Sequence, residues 1–77
     1  MVFLTRADCG LCEVAIPRVR VAARWLRRDL VVEDITGRPE LDGAYRLRLP
    51  VVLSGDGRVV AEGEIGAWAA IKAAARA

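Results

Sequence analysis

The sequence predicts an α/β fold whose elements follow the order β-α-β-α-β-β-α. Short apolar runs of strand length alternate with segments in which apolar residues recur every three or four positions. The first strand–helix–strand unit spans about 35 residues, which implies a parallel, right-handed crossover. A turn signal in the second half of the chain joins two further strands into an antiparallel hairpin. The predicted sheet is therefore mixed.

The first third of the chain predicts a strand, a loop and a long helix. Val2-Phe3-Leu4 is the strand, and residues 5–10 form a loop with Asp8 near the start of the helix. From Leu11 onward the apolar residues recur at helical spacing. The predicted apolar face consists of Leu11, Val14, Ala15, Val19, Ala22 and Leu26. The opposite face, predicted to be solvated or to meet an acidic partner, carries Arg20, Arg24, Arg27 and Arg28.

The middle of the chain predicts a strand, a short helix and a second strand. Residues 30–35 form the strand, and Pro39 suits the first position of the helix. That helix would carry Leu41, Ala44 and Tyr45. Pro50 then opens the apolar run 51–53, which is a permitted strand position for proline.

The last part of the chain predicts a hairpin and a final helix. Residues 54–57, Ser-Gly-Asp-Gly, are a strong hairpin signal, and residues 58–61 return as the fourth strand. Glu64 is predicted to begin the last helix, where an acid favours the positive helix start. Its predicted apolar face consists of Ile65, Trp68, Ile71 and Ala75. Both tryptophans, Trp25 and Trp68, are predicted to lie in the core or at its edge.

Composition excludes several classes of function. We expect one domain, residues 1–77, because the chain is too short for two cores. A net charge of +2 with four aromatic residues is not typical of a nucleic-acid-binding protein. No apolar run approaches the roughly 20 residues that span a bilayer, and no secretory segment is visible, so a cytoplasmic location is expected. The absence of histidine excludes Ser–His–Asp triads and His-containing zinc sites.

The informative motif is Cys9-Gly10-Leu11-Cys12, which lies between a predicted strand and a predicted helix. Cys9 would lie at the first helical turn, where free backbone N–H groups stabilise a thiolate. Cys12, three residues on, would lie on the same helical face, within reach to resolve a mixed disulfide. Gly10 would let the backbone bend and a substrate approach closely. The pattern favours a redox pair.

Three other interpretations of the two cysteines stay open at this point. They could form a structural disulfide, although the loop between them is small. They could be half of a zinc or iron–sulfur site completed by a second chain, since a four-ligand site needs two more donors. In that case the chain is a binding or metal-sharing module without redox turnover. They could also be two incidental core cysteines.

The order and spacing of four segments resemble a glutaredoxin-like protein of the thioredoxin superfamily, and the likeness covers nearly the whole chain. The segments are Leu4–Cys12, Val32–Ile35, Leu49–Leu53 and the Gly57 hairpin running into Glu62-Gly63. The resemblance implies a thioredoxin-like fold with a central four-stranded mixed sheet flanked by helices. It also implies a thiol–disulfide oxidoreductase with Cys9 as the nucleophile and Cys12 as the resolving thiol.

The resemblance also implies a substrate groove. Pro50 would be cis and packed beside the cysteines, and the backbone of Leu49 would pair with an extended thiol compound or peptide. Arg6 matches a position where glutaredoxins carry a basic residue that binds glutathione and stabilises the thiolate. Gly63 stands in place of the familiar Gly-Gly pair before the last helix. Together with Gly10, these residues are the predicted substrate-binding set.

Some positions depart from the thioredoxin pattern, and others depart from the glutaredoxin pattern. Asp8 replaces the tryptophan that precedes the first cysteine in thioredoxins, and its carboxylate opposes formation of the Cys9 thiolate. Residues 10–11 are Gly-Leu instead of the Pro-Tyr of glutaredoxins, and only one glycine of the Gly-Gly pair remains. Pro17 resembles thioredoxins, and it either kinks the first helix or ends it.

The sequence and the resemblance together define the expected partners. We expect a disulfide-containing protein or a low-molecular-weight thiol as substrate, and a reductase as electron donor. Glutathione is the implied thiol co-substrate, used more poorly than by a typical glutaredoxin, and no other cofactor or metal is expected. The protein is expected to be a monomer that binds neither nucleic acid nor membrane.

Overall fold

The computed structural model describes all 77 residues as a four-stranded sheet with three helices. The elements in chain order are β1 (Val2–Thr5), α1 (Gly10–Trp25), β2 (Val31–Asp34), α2 (Pro39–Tyr45), β3 (Val51–Leu53), β4 (Val59–Glu62) and α3 (Ala67–Arg76). The sheet is mixed, which confirms the predicted α/β, thioredoxin-like order. No helix is long and apolar enough to cross a bilayer.

The strands lie in the order β2-β1-β3-β4, so β1 lies inside the sheet between β2 and β3. β1 pairs in parallel with β2, with Val2 opposite Val31, as expected for two strands joined by a helix crossover. β1 pairs antiparallel with β3, with Phe3 opposite Val52. β3 and β4 form the antiparallel hairpin.

The alternation of side chains along β1 and β3 divides the core between the two faces of the sheet. Phe3 and Val52, fully buried, pack with α1 and α3 on one face. Leu4 and Val51 face the other way and form a smaller cluster with Ile35. Leu41 and Tyr45 of α2 pack against that smaller cluster. Helices α1 and α3 therefore share one face of the sheet, and α2 covers the other.

The hairpin forms where its sequence predicts it. The backbone N–H of Ser54 donates to the carbonyl of Arg58 at 2.8 Å, and Gly57 adopts φ +88°, a left-handed conformation that favours glycine. The hydroxyl of Ser54 donates to the carboxylate of Asp56. This hydrogen bond, together with one from the backbone N–H of Arg58, lowers the pKa of Asp56. The charged carboxylate of Asp56 accepts these hydrogen bonds and so stabilises the turn.

Pro17 does not end α1, which continues for eight residues beyond it to Trp25. The interpretation in which proline terminates a short first helix is therefore wrong. Proline has no N–H to donate to the carbonyl of Glu13, one turn earlier. Both Glu13 and Pro17 are exposed, so this carbonyl lies on the solvent side of the helix.

The predicted apolar face of α1 is wrong at three of its positions. Leu11, Val14 and Leu26 are 49%, 52% and 41% exposed. The buried face consists of Cys12, Ala15, Val19, Ala22 and Ala23. The helix is rotated so that small side chains meet the core. Small residues at a helix contact permit a shorter distance between the helix axes.

Helix α3 begins at Ala67, three residues later than predicted, and buries Ala70, Ala73 and Ala74. Trp68 is 76% exposed and Trp25 is 81% exposed, so the prediction that both tryptophans lie in or beside the core is wrong. Ile71 is also 41% exposed. The buried residues of α3 are all alanines, and its bulky side chains, Trp68 and Ile71, stay exposed.

Candidate active site

The two cysteines form a disulfide at the N-terminal end of α1. Cys9 is the N-cap of the helix, with extended backbone angles of φ −101° and ψ 98°, and Cys12 lies in the first turn. Their Cα atoms are 5.2 Å apart. A residue with extended backbone followed by one helical turn places the two side chains side by side, and this brings the sulfur atoms together.

A backbone hydrogen bond is directed at the sulfur of Cys9. The N–H of Cys12 donates to Sγ of Cys9 at 3.2 Å, so this side chain caps the helix in the way that a serine or threonine usually does. The backbone N–H of Cys9 in turn donates to the carbonyl of Arg6 at 3.2 Å, which fixes the preceding loop. The first turn therefore presents donors where negative charge on Cys9 would form.

The two cysteines differ in their exposure to solvent. Cys9 is partly exposed, whereas Cys12 is 0% exposed and belongs to the larger core cluster with Phe3 and Val52. A molecule approaching from solvent can reach the disulfide only from the side of Cys9. This asymmetry comes from the helix itself, because Cys12 points to the core face of α1 while Cys9 stands at its end.

A cavity of about 220 Å³ opens beside Cys9. Its lining combines residues of the β1–α1 loop with residues of the α2–β3 segment: Arg6, Asp8, Cys9, Arg46, Leu47 and Leu49. Two arginines, one acid and two leucines surround the sulfur. The cavity can therefore receive a substrate that combines apolar and anionic groups.

Only some of the predicted substrate-binding residues lie beside Cys9. Arg6 and Leu49 line the cavity beside Cys9, whereas Gly10 and Gly63 do not. Pro50 is buried and its peptide bond with Leu49 is cis. The N–H of Gly63 donates to the carbonyl of Pro50 at 2.9 Å, so Gly63 touches this segment through its backbone.

The charge of Arg6 is already compensated within the chain. Its Nε lies 3.5 Å from a carboxylate oxygen of Asp8, and its Nη1 forms an ion pair with Asp42 of α2. The Arg6 side chain is only 21% exposed. Two carboxylates from different segments thus hold this guanidinium and tie the β1–α1 loop to α2.

Asp34, at the end of β2, also feels the charge of Arg6. The pKa of Asp34 is lowered, mainly by hydrogen bonds from the backbone N–H and the hydroxyl of Thr36, with the positive charge of Arg6 adding to the effect. The carboxylate therefore stays charged at neutral pH. It accepts the Thr36 N–H at 2.8 Å and so fixes the turn after β2.

Sequence reasoning missed Arg46 and Leu47 as residues of this site. Arg46 forms no ion pair with any acid of the chain, and Leu47 is 97% exposed. The only local signal was an apolar side chain between two arginines in the α2–β3 segment. Arg46 lies 37 residues after Cys9 in the chain, and the tertiary fold brings it and Leu47 beside the sulfur.

The chain holds no group of three or more Cys, His, Asp or Glu residues placed to bind a metal ion. A sequence model of the family described as "Glutaredoxin-like domain (DUF836)" matches residues 1–72. No curated protein and no solved structure gives a significant match.

The position of Asp8 leads to a prediction about the reduced protein. Replacing Asp8 with asparagine should speed alkylation of Cys9 by iodoacetamide at pH 7 about two- to fivefold. The reason is that a carboxylate close to a thiol disfavours the thiolate, by roughly 1 kcal/mol at about 4 Å in water. Asp29→Asn, the same change at the far end of α1, is the control and should have no effect. An unchanged or slower rate for Asp8→Asn would contradict the prediction.

Proposed function

The chain belongs to the glutaredoxin-like domain family, and on this premise we propose that it is a thiol–disulfide oxidoreductase in which Cys9 attacks and Cys12 resolves. One observation carries the proposal: a disulfide at a helix start joins a partly exposed cysteine to a fully buried one. A structural disulfide across two intervening residues would add little stability. A partly exposed cysteine at a helix start is instead suited to thiol–disulfide exchange.

The proposed reaction transfers two electrons from the dithiol to a substrate disulfide. The Cys9 thiolate attacks one substrate sulfur, the substrate S–S bond breaks, and the leaving thiolate takes up a proton. Cys12 then loses its proton and attacks Sγ of Cys9. This second step forms the Cys9–Cys12 disulfide and releases the other substrate sulfur as a thiolate, which is protonated in turn.

The chain's own groups support this division of roles. The N–H of Cys12 is directed at Sγ of Cys9, so it would also stabilise a thiolate there after reduction. Cys12 is enclosed by the core, so it would meet the mixed disulfide but no free substrate. Because its Cα lies 5.2 Å from that of Cys9, resolution needs no large movement of the backbone.

The cavity beside Cys9 suggests how a substrate would bind. Leu47 and Leu49 offer apolar contact, and Arg46 offers a positive charge that no acid of the chain neutralises. In the proposed complex the backbone of Leu49, next to Pro50, pairs with the extended substrate. Gly10, which carries no side chain, leaves room for the approach to Cys9.

The proposal includes a protein disulfide as the preferred substrate and a reductase as the source of electrons. A protein segment can use the exposed Leu47 as well as Arg46, whereas a small thiol compound depends mainly on charge. A cytoplasmic location fits this chemistry because reductases there keep thiols reduced. We propose that the protein acts as a monomer in this reaction.

The roles of the two cysteines can be separated by substitution. Cys9→Ser should reduce insulin disulfides no faster than the uncatalysed background, because the attacking sulfur is gone. Cys12→Ser should form a mixed disulfide at Cys9 that persists and is visible by mass spectrometry. Since serine at position 12 places a hydroxyl in the core at a cost of about 1–3 kcal/mol, Cys12→Ala is the second variant.

Circular dichroism of all three variants is the control for folding. An active Cys9→Ser protein would contradict the proposal, as would a Cys12 variant that turns over without trapping. A protein that reduces no disulfide and purifies as a zinc- or iron–sulfur-bearing dimer would instead establish the metal-sharing alternative.

The ion pairs of Arg6 lead to a prediction about glutathione. With Asp8 and Asp42 bound to this guanidinium, the wild type should use glutathione poorly in a glutathione reductase-coupled assay with hydroxyethyl disulfide. Asp42→Asn should leave Asp8 as the only carboxylate on the guanidinium and lower the KM for glutathione severalfold. Glu40→Gln, on the same helix, is the matched control and should change nothing. Fast, saturable turnover of the wild type at low glutathione concentration would contradict the prediction.

A further inference from the structure

A second concave surface lies between α1 and α3, away from the disulfide. It is a groove of about 310 Å³, called here the α1–α3 groove. Its lining is almost entirely apolar, and the residues that shape it are Arg18, Val21, Trp25, Leu26, Ala67 and Ile71. It begins at Arg18, nine residues after Cys9, which is about 14 Å along the helix axis. A molecule in this groove would therefore not touch the sulfur atoms.

The apolar surface at this groove is large for so small a protein. Trp25, which lines the groove, is 81% exposed. A tryptophan can bury about 150–250 Å², so this side chain alone exposes roughly 150 Å² at the groove. Val21, Leu26 and Ile71, each more than two-fifths exposed, add to it. The largest apolar patch on a typical monomer is about 300–600 Å² and is often functional.

The core does not explain why these large side chains are there. The buried residues of α1 and α3 are mostly alanines, among them Ala22, Ala70 and Ala74, which are 3% exposed or less. The bulky residues at the groove stay exposed. Polar residues would serve the fold equally well at these exposed positions, so the apolar walls point to a binding role.

The charge on this side of the molecule differs from the charge on the rest. Residues 10–28 and 64–77, which include α1 and α3, hold seven basic and two acidic side chains. The remaining residues hold five basic and eight acidic ones. The layer of α1 and α3 is therefore positively charged, although Arg20, Arg24 and Arg28 line a separate hollow of that layer. Arg18, part of the groove lining, is the positive group closest to an occupant.

Shape and charge together select one kind of occupant. The groove is concave and about two helical turns long, from Arg18 to Leu26, which fits an amphipathic helix that inserts side chains at i, i+3 or i+4, and i+7. A flat bilayer surface would leave a concave groove unfilled. A second copy of the chain would bring two positively charged helical layers together, which costs free energy.

We propose that the α1–α3 groove binds an amphipathic helix of a partner protein, with apolar side chains seated between Trp25 and Ile71. An acidic residue beside those side chains would pair with Arg18, the charged residue of the groove lining. The proposal goes beyond the redox reaction and does not depend on it. It gives the protein a docking surface that leaves the cavity beside Cys9 open.

The chain provides its own reporter for a test. Trp25, one of only two tryptophans in the chain, lines the groove and is 81% exposed, so an occupant that buries it should shift the tryptophan emission to shorter wavelength. The probe is a synthetic 18-residue helical peptide with leucines along one face and glutamates beside them. One comparison peptide has lysines in place of the glutamates, and another has serines in place of the leucines. Only the first peptide should bind and shift the emission.

Substitutions locate the binding. Trp25→Ala should weaken binding of the acidic peptide about tenfold or more, as expected for a tryptophan at the centre of an interface. Because this variant lacks the reporting tryptophan, its binding is measured by the fluorescence anisotropy of a fluorescein-labelled peptide. Arg18→Met keeps the aliphatic stem but removes the charge, and should weaken binding about two- to fivefold and reduce its dependence on salt. Val31→Ala, an exposed apolar residue on β2, is the matched control and should bind like the wild type.

Four results would each overturn the proposal. The first is no emission shift with the acidic peptide, and the second is equal binding of the lysine peptide. The third is an emission shift produced only by phosphatidylserine-containing vesicles, which would identify a membrane surface. The fourth is a concentration-dependent shift without peptide, together with a dimeric mass in analytical ultracentrifugation, which would identify a second copy as the occupant.

Discussion

The hydrogen bond from the N–H of Cys12 to Sγ of Cys9 sets the geometry on which the candidate site depends. It makes Cys9 the cap of α1, so the reactive sulfur and the start of the helix are one structural unit. Cys12 at the same time fills the core beside Phe3 and Val52. The packing of the core therefore fixes the orientation of the disulfide. In the proposed reaction, that packing also keeps the resolving sulfur within reach of the attacking one and away from solvent.

The second constraint is the use of alanine where α1, α3 and the sheet meet. Ala15, Ala22, Ala70, Ala73 and Ala74 are all 3% exposed or less. Small side chains let the helices approach closely, so a chain of this size can build a packed core from few large residues. The core is therefore packed without either of the two tryptophans, which are both exposed. The same packing that stabilises the fold leaves an apolar groove on its surface, within a positively charged helical layer.

Local patterns were sufficient to predict the order of the elements, the hairpin at Gly57 and the disulfide motif at a helix start. They failed for the helix faces, because residues spaced by three and four define more than one arc of a helix. Val19 belongs to both the predicted and the observed face, whereas Leu11 and Leu26 lie outside the buried one. The packing of α1 against both the sheet and α3 decides which arc is buried. Arg46 was missed for a similar reason, because tertiary structure alone brings it beside Cys9.

The central claim is that Cys9 and Cys12 have different roles because one is exposed at the helix start and the other is enclosed by the core. The most direct measurement is to treat the reduced wild-type protein with limiting iodoacetamide at neutral pH and to map the first labelled cysteine by peptide mass spectrometry. This structure predicts that Cys9 carries nearly all of the first label. Equal labelling of both residues, or first labelling of Cys12, would contradict it.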